Sequence, residues 1–189
     1  MDKRLQRSRE RVLAAAYDVL VASGIGGFSV DEVARRSGVA KTTIYRQWPT
    51  REALVADACW RMVAEQEEET PDAGSVEADV ESILSEIGRL LWTANWAAVV
   101  PSVIDAAERD PEFGEIHARI QAGHAAPLKT VLERGVARGE LAADADVAVL
   151  AAALLGPLFY RRWFARQPID EAFVQSLVRQ VLRSPGTGR

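Results

Sequence analysis

A chain of 189 residues has room for one sizeable core, or for a small domain joined to a medium one, since domains commonly run to about 100 to 200 residues. With 48% hydrophobic and 26% charged residues it is packed rather than disordered, and the lone Cys59 excludes an internal disulfide. The formal net charge of −4 divides into +3 up to Trp60 and −7 beyond it, a slightly basic head on an acidic body, which excludes a protein made only to coat nucleic acid.

No charged-then-apolar leader and no uninterrupted apolar run of about 18 residues stands out, so the expectation is a cytoplasmic protein with no membrane partner. Between Arg9 and Ser23, Val12, Ala15, Ala16, Val19 and Leu20 recur every three or four residues and predict a helix with one buried face. Gly24, Gly26 and Gly27 end it. Ser29-Val30-Asp31-Glu32 reads as a capping box opening a second helix, with the Ser29 hydroxyl accepting from the Glu32 N–H and the Glu32 carboxylate reaching back. Ser37-Gly38 stops that helix, and a third runs from Ala40 or Lys41 through Ile44 to Trp48, closed by Pro49. Thr50 caps a fourth helix carrying Ala53, Ala56, Trp60 and Val63 into the acidic run 65–69.

Pro71 and Gly74 make residues 70–75 the candidate joint between head and body. Helices are then predicted over 76–92, over 96–107 around Pro101, and from the Asp110-Pro111 start through Phe113, Ile116, Ile120, Leu128, Val131 and Leu132, with a kink at Pro127. Gly139 ends that helix before Asp144 or Asp146 caps the next. Residues 147–163 are apolar on nearly every side, with Leu154 and Phe159 on different stripes. Residues 170–182 carry Phe173, Leu177 and Val181 on a wide apolar face. That is more apolar surface than one monomer covers, so Leu154, Phe159, Phe173, Leu177 and Val181 are candidate dimer-interface residues. No alternating pattern predicts a sheet, so the fold class expected is all-α.

The segment Ser29 to Trp48, SVDEVARRSGVAKTTIYRQW, has the plan of a helix-turn-helix, whose second helix lies in the major groove of double-stranded DNA. Lys41, Thr42, Thr43, Tyr45, Arg46 and Gln47 are donors or groove-sized, and Ile44 is the inward anchor. Trp92 and Trp96, four apart, with Phe113, His117 and His124 on a later helix, are candidates to line a small-molecule effector cavity, since such pockets are mostly apolar with few polar groups. His117 and His124 lie seven apart without an assured third ligand, so no metal site is expected. Nothing implies a cofactor or an enzyme: paired carboxylates, a nucleophile elbow, a glycine-rich phosphate loop and HExxH are all missing.

From about Gln6 to Gln66 the chain resembles the DNA-binding domain of TetR/AcrR-type regulators: a first helix ending in a glycine-rich turn is followed by FSVDEVARRSGVAKTTIYRQWPTREAL. The segments GVARGEL (135–141) and GPLFYRRWF (156–164) resemble one common branch of that family. The resemblance implies a three-helix helix-turn-helix domain over 6–66 with its motif at 29–48, and a helical effector-binding and dimerisation domain over 75–185. It further implies a homodimeric repressor released from a palindromic DNA operator by a small-molecule effector, which the aromatic group suggests is largely apolar. Within that frame Lys41, Thr42 and Tyr45 would reach base edges, Arg46 bases or phosphates, and Ser29, Thr43, Trp48 and Arg51 phosphates. Where the family usually has aromatic-proline-serine-lysine, Trp48-Pro49-Thr50-Arg51 preserves the hydroxyl and the cation. A LacI-type regulator, similar at its start, would continue into a much longer α/β body. A helical ligand carrier or small enzyme with a purely structural head is the alternative.

Overall fold

The computed structural model describes residues 3–64 and 70–183. Of the features named above, the run 65–69 and the side chains of Trp60, Val63, Ile116 and Ile120 lie outside the described residues. Every regular element among the described residues is helical: α1 (Lys3–Ser23), α2 (Val30–Ser37), α3 (Lys41–Gln47), α4 (Arg51–Ala64), α5 (Val76–Thr93), a 3₁₀ turn (Asn95–Ala98), α6 (Val100–Arg109), α7 (Pro111–Ala137), α8 (Val147–Phe159), a π-helical segment (Tyr160–Ala165) and α9 (Glu171–Leu182). The chain divides into two compact units, residues 1–67 with 95–123, and residues 68–94 with 124–189.

In the first unit the apolar stripe of α1 buries Val12, Ala16, Val19 and Leu20 against α2 and α4. Gly24, at φ 63°, takes the left-handed conformation that ends α1 and donates to the Leu20 carbonyl at 2.8 Å. The next N–H, that of Ile25, donates to Ser102 Oγ at 3.2 Å. Val99, Val103 and Phe113 share the core that holds Leu20, Ile44 and Leu54. Those contacts are why residues 95–123 group with the head rather than with the rest of the body.

In the second unit α5 is capped by Ser75, whose hydroxyl accepts from the Ala78 N–H at 3.2 Å. It packs on α8 and α9, and Val80, Leu84, Leu91, Leu154, Leu158, Val174 and Val178 are buried there. Asp146, one of two candidate caps, accepts from the N–H groups of Ala148 and Val149. α7 runs through Pro127 as a single helix. The helix expected over 147–163 changes character instead: α8 stops at Phe159, and after Pro157, which has no N–H to give the ladder, the chain continues as a π-helical turn to Ala165.

The joint is clamped to the second unit by side chains. Arg134 donates to the Pro71 carbonyl at 3.1 Å, the Ala73 N–H donates to the fully buried Asp79 at 2.7 Å, and the Val76 N–H donates to Glu140 at 2.7 Å.

Candidate nucleic-acid interface and effector site

The turn between α2 and α3 is built by three devices. Gly38 at φ 64° donates to the Ala34 carbonyl at 3.0 Å, the Val39 N–H donates to Ser37 Oγ at 3.3 Å, and Arg11 of α1 donates to the Ser37 carbonyl. The expected capping box forms by half. Ser29 accepts from the Glu32 N–H at 3.5 Å, but the Glu32 carboxylate turns outward to Arg35 (2.6 and 2.8 Å) and to Arg36 (2.7 Å). Two guanidinium groups are stronger donors to a carboxylate than one backbone N–H. They hold the Glu32 carboxyl down at about 2, chiefly through its hydrogen bonds to Arg35 and then Arg36.

α3 is oriented from beneath. Ile44 is 1% exposed and Trp48 3% exposed, whereas Lys41, Thr42, Tyr45 and Arg46 face outward and Thr43 is half-buried. Lys41 Nζ lies 2.7 Å from Asp31 Oδ1 and 5.9 Å from the centroid of the Tyr45 ring. A short helix with a locked apolar underside and an outward row of a lysine, a threonine, a tyrosine and an arginine has the form that reads base edges in a major groove.

The expected phosphate contact of Trp48 is corrected, and Arg51 is engaged by partners within the chain. The single donor of Trp48, its indole N–H, is taken by Asp57 at 2.8 Å, and the ring is buried. Arg51 turns back onto the turn after α1. Its Nε donates to the Phe28 carbonyl at 3.3 Å, a second nitrogen to the Ile25 carbonyl, the third lies 3.3 Å from Glu52, and the group covers the Phe28 ring. Both residues position the motif. The sequence cast Glu32 only as a capping residue and gave Asp57 no role: Glu32 stands at helical spacing from Arg35 and Arg36, a visible signal for the pairing, whereas nothing in the sequence links Asp57 to Trp48.

The five effector candidates divide between the two units. Phe113 is 5% exposed within the core of the first unit, a packing role that corrects its assignment as a lining residue. Trp96 and His117 belong to the same unit, where His117 Nε2 sits 3.2 Å from the Gln121 amide nitrogen. Trp92 and His124 belong to the second unit, and burial holds the His124 imidazole below its ordinary pKa. Trp92 does line a cavity, an open cleft of about 680 Å³ between α5 and the start of α9, together with Gly88, Arg89, Arg166, Ile169 and Val174. Arg162 stacks over its ring at 4.6 Å.

The interface candidates divide as well. Leu154 is completely buried within the single chain, so it is core and cannot meet a second subunit, which corrects its assignment. Phe159, Phe173, Leu177 and Val181 are half-buried, and Val149, Tyr160 and Phe164 are exposed.

These features define a helix-turn-helix DNA-binding protein with a separate helical unit carrying a cleft and uncovered apolar surface. Residues 12–58 match the bacterial regulatory proteins of the tetR family, and residues 70–181 match the tetracyclin repressor-like C-terminal domain. The chain is 30% identical to the HTH-type transcriptional regulator YdeS of Bacillus subtilis over 90% of its length and 86% of the relative's. It is equally 30% identical to the DNA-binding transcriptional repressor TetR of Mycobacteroides abscessus over 90% of both chains. The crystal structure of the TetR-family regulator SCO0332 superposes with a TM-score of 0.76 at 29% identity, covering 95% of this chain and 98% of that one. The chain belongs to the TetR family and is a DNA-binding transcriptional regulator. Members of that family are typically dimeric repressors that release their operators when a small molecule binds.

Proposed function

We propose that α3 reads operator bases through Lys41, Thr42 and Tyr45, with Arg46 on bases or phosphates and Ser29 and Thr43 on phosphates. Residues 6–66 then form the DNA-binding domain and residues 75–185 the effector-binding and dimerisation domain of a cytoplasmic protein that acts by binding alone. The observation that carries this reading is the orientation of α3, whose polar residues face outward while Ile44 and Trp48 pin it from below. A relative named as a repressor, 30% identical over 90% of both chains, favours repression over activation. The effector is a small, largely apolar molecule held beside Trp92, because the exposed surface of the cleft is mostly apolar around the indole, Ile169 and Val174, although Arg89, Arg166, Asp170 and Glu171 also line it.

The test begins with duplexes selected from a random-sequence pool by the full chain. A roughly palindromic consensus is expected, with half-sites about one helical turn or a multiple apart. Tyr45→Ala should weaken binding to that consensus by about 1 to 3 kcal/mol and relax sequence choice at one position of each half-site. Unchanged affinity and unchanged consensus in Tyr45→Ala would remove α3 from the reading role. Molecules that release the protein from the consensus duplex should lose that effect in Trp92→Ala, and equal release in the variant would place the effector elsewhere.

A further inference from the structure

The helix-turn-helix carries its own counter-ions. Among the described residues, three of its four cations are already paired with carboxylates of the same motif: Lys41 with Asp31 at 2.7 Å, and Arg35 and Arg36 with the single carboxylate of Glu32 at 2.6 to 2.8 Å. For Arg46 no such partner exists among the described residues. Sequence-independent DNA affinity comes from cations that neutralise phosphates and release condensed counter-ions. A cation that keeps an internal carboxylate brings a negative charge with it and releases little. A cation that leaves its carboxylate must gain more from DNA than it gives up.

Asp31 is the sharper case. It stands on α2, outside the row of groups expected to read bases, yet it holds the first residue of α3. The same Lys41 ammonium lies over the Tyr45 ring, so the carboxylate and the second proposed reader share one cation. Side-chain exposures of 45% for Lys41 and 75% for Asp31 mean that water competes for both charges, and the pair can exchange without unfolding anything.

We infer, resting on the role proposed for α3, that Asp31 and Glu32 are specificity-determining residues that hold Lys41, Arg35 and Arg36 off non-cognate DNA. Lys41 exchanges Asp31 for DNA only where base contacts compensate. The device lowers the affinity for random sequence more than the affinity for the operator, which is the ratio that decides occupancy in a genome full of competing sites.

The experiment measures binding of the full chain to a random-sequence duplex of about three helical turns across a salt series of about 50 to 200 mM, by fluorescence anisotropy. Asp31→Asn should tighten binding several-fold and steepen the dependence of log K on log salt by about 0.9, one phosphate's share, and Glu32→Gln by up to twice that. Asp31→Glu and the distant Asp105→Asn, which removes one negative charge from α6, should behave as wild type. In a Lys41→Met background Asp31→Asn should add nothing. The inference is overturned if Asp31→Asn matches wild type, if its gain survives Lys41→Met, or if Asp105→Asn gains as much. Should Asp31→Asn fail to fold, Lys41→Met and Arg46→Met decide: the paired lysine should reduce the salt slope far less than the unpaired arginine, and equal losses refute the pairing. A wild-type protein that selects no consensus would overturn the role of α3 itself, a result read on different duplexes.

Discussion

At the scale of single residues, the site depends on a carboxylate that lies outside α2 and α3. Asp57 Oδ2 accepts the Trp48 indole N–H at 2.8 Å and lies 2.5 Å from Arg9, whose guanidinium also covers the Trp48 ring at 5.5 Å. The end of α3 is thereby tied to α4 and α1 together. Asp57→Ala should destabilise the protein by about 1 to 3 kcal/mol in urea unfolding, because it strands a buried indole donor. The salt dependence of DNA binding should be unchanged, since Asp57 holds none of the cations on α2 or α3; a changed slope with unchanged stability would contradict this. Nearby, burial pushes the Cys59 thiol up to about 11, so at neutral pH it is a small hydrophobe rather than a nucleophile. The residue types of the motif were readable from the sequence, and so was the inward course of Ile44. The direction of Trp48 and Arg51 was not, because spacing reports that a side chain is near the DNA-facing end of a motif and says nothing of which carbonyl or carboxylate captures its donors.

Elements were legible where local chemistry sets them. Ser29, Thr50, Ser75 and Asp170 each accept from a backbone N–H in the first turn of the following helix, as cap residues do. Gly38 takes the left-handed conformation that a tight helix-turn-helix needs. The 3₁₀ turn at Asn95–Ala98 and the π-helical segment at Tyr160–Ala165 were hidden, since apolar periodicity is nearly the same for all three helix types over one turn. Hidden for another reason is the clamp on the joint. Asp79, fully buried in α5, accepts the Ala73 N–H at 2.7 Å and stands 3.8 Å from Arg138, which also meets Asp72 and Glu140. Those partners are some sixty residues apart, and no local pattern joins them. Asp79→Ala should cost about 1 to 3 kcal/mol by removing the charged acceptor of the Ala73 N–H, and hydrogen exchange at Ala73 should accelerate selectively. Preserved protection of that amide would show that the joint is held by something other than Asp79.

At the scale of the whole molecule the outstanding quantity is uncovered apolar surface. Val147–Ala165 is long and apolar enough, by length and composition alone, to cross a membrane, and only 17% of its most apolar stretch is buried within the chain. In a family whose members are generally dimeric, that surface is where a second copy of α8 and α9 would pack in the proposed four-helix bundle. The sequence placed the excess on α8 and α9, but it could not separate stripes that face the chain's own core from stripes that face outward: Leu154 is fully buried, while Leu177 and Val181 on α9 remain partly open. This separation makes the dimer testable. In an isologous interface every substitution occurs twice, so Leu177→Asp removes two apolar contacts worth about 1.5 to 3 kcal/mol each and brings two carboxylates toward a dry seam. Association should weaken by about 3 to 6 kcal/mol, enough to turn a micromolar-concentration dimer into monomer in sedimentation equilibrium. Leu154→Ala should act on the other side of the division, lowering unfolding stability by about 2 to 5 kcal/mol through a cavity inside one subunit. A wild-type chain that sediments as a monomer, or a Leu177→Asp variant that stays dimeric, would mean that α9 does not form the seam.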